Sequence, residues 1–202
     1  ALGDLPVMMT ADELISDDEL GVVTAQGNDE VAQGDRLLRA DTLTFNRRTN
    51  VVTASGAVSL VEPTGEVAFA EYVELTSDLS EGIMRNLRLL LADQSRFAAV
   101  TARRGDGSRT TMRRAIYSPC EPCAENPERA PMWRIRAERI RHDQTRKEVV
   151  YDDAWLEIRG VPVAYTPYLA HPDGTEKRKS GFLPPDVASS SRNGTMVATP
   201  YY

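Results

Sequence analysis

The chain has almost none of the side chains that most often carry chemistry. Its only histidines are His142 and His171, and its only cysteines Cys120 and Cys123, among 202 residues. Two cysteines do not make a disulfide scaffold. The histidines stand at no familiar ligand spacing from Cys120-Glu121-Pro122-Cys123, which argues against a zinc half-site. No thioredoxin-like βαβ pattern surrounds that motif, which argues against a redox pair. There is no Ser-His-Asp signature, no glycine-rich phosphate loop and no His-x-x-x-His, and the carboxylates are scattered. The reading is a protein that is not an enzyme and uses no cofactor or metal. Basic charge is short as well. With 30 acidic and 24 basic residues the net charge is −6, so the concentrated basic face that nucleic acid requires is missing. No apolar run approaches the about 18 residues of a spanning helix, and the longest, Leu87 to Ala92, is interrupted by Arg88. Aromatic residues are 6% of the chain, so a core must be built from Val, Leu, Ile and Ala. Ala1-Leu2-Gly3-Asp4 lacks the basic start and apolar segment of a signal peptide. Such a peptide has been removed or was never there.

What the chain does have is a repeat. Ala11-Asp12-Glu13-Leu14 leads, seven residues on, to Val22-Val23-Thr24-Ala25-Gln26-Gly27, and Ala40-Asp41-Thr42-Leu43 leads after the same gap to Val51-Val52-Thr53-Ala54-Ser55-Gly56. A fixed period in this range means stacked supersecondary units. Ala70-Glu71-Tyr72-Val73 and Ala137-Glu138-Arg139-Ile140 are weaker copies. Each unit reads as two strands joined by a short turn such as Asn46–Asn50 or Pro63-Thr64-Gly65. Short connections join antiparallel neighbours, so the fold class is all-β, a meander with a strand every 10–15 residues or so. Gly27 and Gly56 inside strands predict bulges where the sheet curls. Trp133, Ile135 and Ala137 alternate with Arg134, Arg136 and Glu138, the period of a half-buried strand. No helix is predicted; residues 11–20 have a helix-like composition that the repeat overrides. After Gly160 the prolines at 162, 167, 172, 184 and 185 rule out an ordinary central strand and predict a connector. Residues 186–193 read as a polar loop, and Met196 to Tyr202 as the start of a strand.

The repeats resemble the organic-solvent-tolerance (OstA-like) repeat of periplasmic lipopolysaccharide-transport proteins. The C-terminal order is more specific. Tyr117-Ser118-Pro119-Cys120, Pro131-Met132-Trp133, Gly160-Val161-Pro162-Val163-Ala164-Tyr165-Thr166-Pro167-Tyr168, Pro172-Asp173 and Arg178-Lys179-Ser180-Gly181-Phe182-Leu183-Pro184-Pro185 resemble the junction between periplasmic domain and barrel in the LptD family of outer-membrane LPS-assembly proteins. The resemblance implies an antiparallel β-jellyroll over residues 1–182. It implies a linker and the first strand of a transmembrane β-barrel, cut short, over residues 183–202.

It also implies lipopolysaccharide as the ligand, carried along an apolar groove without chemistry. Groove candidates are Leu43, Phe45, Val58, Leu60, Val73, Leu75, Ile135, Leu156 and Ile158; on the residues alone these could equally be plain core. The implied partners are a like-folded periplasmic bridge protein, added to the N-terminal edge strand, the outer membrane, and a lipoprotein that plugs the barrel. The implied location is the outer membrane with this portion in the periplasm. That exported setting favours a structural disulfide involving Cys120 or Cys123, with at least one of them oxidised. In the family the cysteine aligned with Cys120 bonds to distant barrel cysteines, but this chain has the extra Cys123 and no cysteine near its start. Tyr165, Tyr168, Arg178 and Phe182 are candidates for a membrane junction. The basic run Arg134, Arg136, Arg139, Arg141, Arg146, Lys147 reads as a solvated outer face. Two rival readings are a stand-alone bridge protein with the same repeats, which would lack the junction motif, and a secreted carbohydrate-active β-solenoid enzyme. The second would need clustered acids beside exposed aromatics.

Overall fold

The structure, a computed structural model, describes residues 7–105, 108–120, 130–173, 186–190 and 194–198. The strands in order are β1 (Val7–Thr10), β2 (Glu13–Asp17), β3 (Val22–Gln33), β4 (Arg36–Asn46), β5 (Val51–Val61), β6 (Val67–Thr76) and β7 (Gly82–Leu90). They continue as β8 (Arg96–Gly105), β9 (Arg109–Ser118), β10 (Trp133–Asp143), β11 (Glu148–Ile158), β12 (Val161–Pro172), β13 (Asp186–Ser190) and β14 (Gly194–Ala198). Among the described residues there is no helix. From β3 to β12 each strand lies antiparallel beside the next in one sheet, and β1 and β2 both pair with β3. This is the all-β antiparallel meander that the short turns require.

Two expectations from the sequence need correction. The proline-rich stretch after Gly160 is not only a connector, because Val161–Pro172 forms β12 against β11. It is the last strand of the sheet, and an edge strand tolerates residues that cannot donate to a ladder. Residues 186–193 are not simply a loop either, because Asp186–Ser190 pairs with Gly194–Ala198 in a separate two-stranded sheet.

The repeat encodes a fold line across the sheet. Alternate strands carry a mid-strand residue in the left-handed region: Asn28 (φ 50°) in β3, Ala57 (φ 43°) in β5, Asn86 (φ 53°) in β7, Arg114 (φ 48°) in β9 and Asp153 (φ 54°) in β11. Gly27 and Gly56 precede the first two, with φ of 85° and 74°, and the register slips beside both. An extra residue at each bulge bends its strand. The acids Asp12, Asp41 and Glu71 pack against their bends. Asn28 donates to Asp12 at 3.1 Å and Asn86 to Glu71 at 2.6 Å. A Cβ on Gly56 would stand 2.4 Å from the Asp41 carboxylate. On the inner side of the bend lie Ala70, Ala99, Ala115, Ala137 and Ala154, all buried. Side chains this small let the two halves of each strand close on one another.

Ring contacts show how far the sheet folds over. Phe97 shares a cross-strand row with Tyr117 and Ile135. His142 sits on the Ile135 strand but seven residues on, roughly 23 Å away along a flat strand at ~3.3 Å per residue. Its ring is nevertheless 6.1 Å from that of Phe97, and Tyr117 is 6.0 Å from Tyr151. The two half-sheets therefore face each other and share one apolar core. Burying each large aliphatic side chain there is worth about 1.5–3 kcal/mol.

The bend makes a direct prediction. Gly56→Ala places a side chain at a left-handed position against Asp41 and should cost about 1–3 kcal/mol. Gly65, with φ 84° but nothing within 4 Å, should cost about 1 kcal/mol on the same change. Urea midpoints compare the two, and equal losses would remove the role assigned to the Asp41 contact.

A second prediction concerns His171. Its Nδ1–H donates to the Pro172 carbonyl, so Nε2 accepts from the Tyr151 hydroxyl at 2.8 Å. Burial lowers its pKa from 6.5. A lowered histidine pKa contributes stability that is present above pH 6.5 and fades as pH falls through the folded value. His171→Gln should flatten this dependence below pH 6.5; an unchanged slope in thermal melts would contradict it.

Candidate functional site: the apolar trough and its mouth

The inner face of the folded sheet collects all nine groove candidates. Leu43, Val58, Leu60, Val73, Leu75 and Ile135 are buried in the common core, and Phe45, Leu156 and Ile158 pack against it half-buried. They come from both sides of the fold line. Leu43 and Val73 flank Ala54 on one half, while Leu60 pairs with Leu38 on the other. Over most of its length the trough is filled by its own side chains. Toward the N-terminal strands it opens into an apolar cavity of about 310 Å³, lined by Met9, Val23, Val31, Leu43, Phe45 and Val52, with Arg47 and Ser77 completing the wall.

Opposite the fold line, where the strand ends meet, the trough has a mouth with two lips. One lip is made by the start of β4 and the β5–β6 turn, the other by the β6–β7 turn, the end of β8, the β10–β11 turn and the end of β12. Polar groups join them. Glu62 accepts from Arg36 Nε at 3.1 Å and from Arg104 Nη1 at 2.6 Å, and all three side chains are more than nine-tenths buried. Arg36 also donates to the Asp78 carbonyl at 2.8 Å. Gln144 donates to Glu66 at 2.6 Å across 78 residues of sequence. Within the second lip, His142 Nε2 lies 3.5 Å from the Asp173 carboxylate. Burial raises the pKa of Glu66, against the opposing pull of His142 and the Gln144 hydrogen bond. Nothing local in the sequence marks these residues, since Glu62 and Glu66 merely flank a turn. Their roles come from the fold-over.

The outer face carries the basic run in neutralised form. Glu157 meets Arg134 at 2.6 Å and Arg136 at 2.7 Å. Asp152 meets Arg141 at 2.9 Å and Arg139 at 3.5 Å. Tyr165 and Tyr168 are exposed on β12, and the Tyr165 ring lies 5.1 Å from that of Trp155. The Tyr165 hydroxyl donates to Asp153 at 2.8 Å, which raises its pKa. Cys120 is half-buried and forms no disulfide with a described residue. Cys123, Arg178 and Phe182 lie outside the described residues. A further copy of the repeat, Ala99-Val100-Thr101-Ala102, went unread in the sequence because a valine replaces the acid. Val100 nonetheless stands beside the bend at Arg114.

Residues 8–94 match the family model described as LptA/(LptD N-terminal domain) LPS transport protein. The chain is 31% identical over 199 residues to an LPS-assembly protein LptD of Albidiferax ferrireducens, covering 98% of this chain and 24% of that protein. It is 32% identical over 203 residues to the LptD of Vibrio cholerae, covering 99% of this chain and 24% of that protein. It thus spans about a quarter of the length of these curated relatives. Among solved structures it is similar to LptH of Pseudomonas aeruginosa, an LptA-homologous periplasmic component of a lipopolysaccharide transport device. That likeness has a TM-score of 0.43 at 19% identity and covers 49% of this chain and 75% of the other. Residues 8–94 thus match the LptA/LptD N-terminal-domain family, and nearly the whole chain is similar to about a quarter of an LptD protein.

Proposed function

We propose that the chain carries lipopolysaccharide, holding its acyl chains along the inner apolar face while the saccharide stays outside, as the periplasmic part of an LptD-type assembly protein at the outer membrane. The observation that carries this reading is the continuous apolar inner face, with its cavity of about 310 Å³ at the N-terminal end. Each acyl methylene buried there gains about 0.8 kcal/mol. Relay along such a face needs no bond-breaking step. The matched relatives bear the name LPS-assembly protein.

A difference between the two edges of the sheet supports a docking side. β2 has no proline and all five of its side chains are exposed, Leu14 and Ile15 among them. β12 carries Pro162, Pro167 and Pro172. An edge with free donors and acceptors invites strand addition, and proline blunts it. The reading therefore docks a like-folded bridge protein on the N-terminal edge. Tyr165 and Tyr168, with Arg178 and Phe182 further on, would face the membrane junction. The greater length of the relatives leaves room for a barrel and for a lipoprotein inside it.

Photo-crosslinkers at Leu43 and Leu60 should label lipopolysaccharide several-fold more strongly than crosslinkers at Arg134 and Arg136. Equal labelling, with circular dichroism confirming the fold, would count against an inner groove. Ile15→Pro should weaken capture of a like-folded bridge protein at least tenfold, and Val163→Pro should leave it unchanged. The opposite pattern would move the docking edge to β12.

A further inference from the structure

The trough is shut. Leu43, Leu60, Val73 and Leu75 are each no more than 1% exposed, so the space between the half-sheets is already occupied by side chains. An acyl chain can lie along them only if the halves part. The fold line fixes where they can turn and the mouth fixes what must let go. At the fold line the bends at Asn28, Ala57, Asn86, Arg114 and Asp153 run across the sheet on alternate strands, with small alanines on their inner side. At the mouth one carboxylate holds both lips. Glu62, on the β5–β6 turn, binds Arg36 on its own lip and Arg104 on the other, and Arg36 reaches across to the Asp78 carbonyl.

We infer that Glu62, with Arg36 and Arg104, is a latch across the mouth, and that the two half-sheets part about the fold line when it releases. Resting on the lipopolysaccharide-carrying reading, the inference adds that lipid loads sideways through the opened mouth and not end-on into a rigid tube. A bulky saccharide outside the trough requires this, since it cannot pass a closed bridge of side chains joining the lips. Buried ion pairs suit such a device. Removing one partner strands the other charges, whereas apolar replacement of the whole set keeps the contact closed. The Gln144–Glu66 hydrogen bond, 2.6 Å long, closes the same mouth further along.

The test uses exposed positions on the two lips, Thr64 in the β5–β6 turn and Thr145 in the β10–β11 turn. Thr64→Cys and Thr145→Cys are placed in a chain with Cys120→Ser and Cys123→Ser, and joined by a bis-maleimide linker containing a reducible disulfide. Binding of radiolabelled lipopolysaccharide should fall at least tenfold in the joined chain and return on reduction. Equal binding before and after reduction would overturn sideways loading and leave the lipid-carrying reading standing. Absence of binding in both forms would overturn the lipid-carrying reading, and the latch's part in loading with it.

A second arm needs no lipid. In Glu62→Gln, amide hydrogen exchange in residues 62–66 and 142–147 should rise at least tenfold, while the strands beside the fold line keep wild-type protection. Unchanged exchange at the lips would show that Glu62 holds nothing shut. Should Glu62→Gln lose protection throughout, the apolar set Arg36→Met, Glu62→Leu, Arg104→Met decides. It should fold, keep the lips protected, and bind lipopolysaccharide more slowly than wild type. Wild-type loading by this variant would overturn the latch.

Discussion

Everything in this fold depends on a backbone constraint repeated across the sheet: a left-handed residue in the middle of alternate strands. An L-residue enters that region only at a cost of about 1–2 kcal/mol, so glycine, asparagine and aspartate are natural occupants. Ala57 and Arg114 take it without that excuse. The bends must be held by what surrounds them, and the outer acids at Asp12, Asp41 and Glu71 are part of that hold. Without the fold line the sheet would be a long twisted ribbon with one wet apolar face. With it, the same strands cover themselves.

The interior is filled unevenly. Alanines recur beside the fold line, interleaved with Val58 and Leu87, which directly follow the bends at Ala57 and Asn86. Tyr117, Tyr151 and His171 pack together between the two halves. The charged groups of Arg36, Glu62 and Arg104 sit at the strand ends, more than nine-tenths buried and bonded to one another. The fold thus places its costliest groups where opening the two halves would return them to water.

Much of this is legible in the amino-acid sequence. The recurring Ala-Asp-x-Leu phrase and its glycine gave the meander, the turns and the bulges, since period and turn chemistry are local properties. Alternation within each half-strand puts the named apolar residues on the buried side. What could not be read was any contact made by folding over. Glu66 and Gln144 are far apart in sequence, and nothing near either announces the other. The copy at Ala99 has no local signature, because a bend can be flanked by valine as well as by an acid. The prolines of β12 suggest a connector because proline excludes a central strand but permits a marginal one, and sequence does not say which strand is last.

That last strand has a consequence for how many such sheets can be joined. Head-to-tail growth of a polymer needs two complementary ends on every unit. Here one margin is made of the proline-free strands β1 and β2, and the other is interrupted by Pro162, Pro167 and Pro172. A stack of like-folded sheets could add this chain, but its far side would accept no further unit with ease. In a filament it would be a terminus, setting the length of the line by its own chemistry and not by the number of copies available.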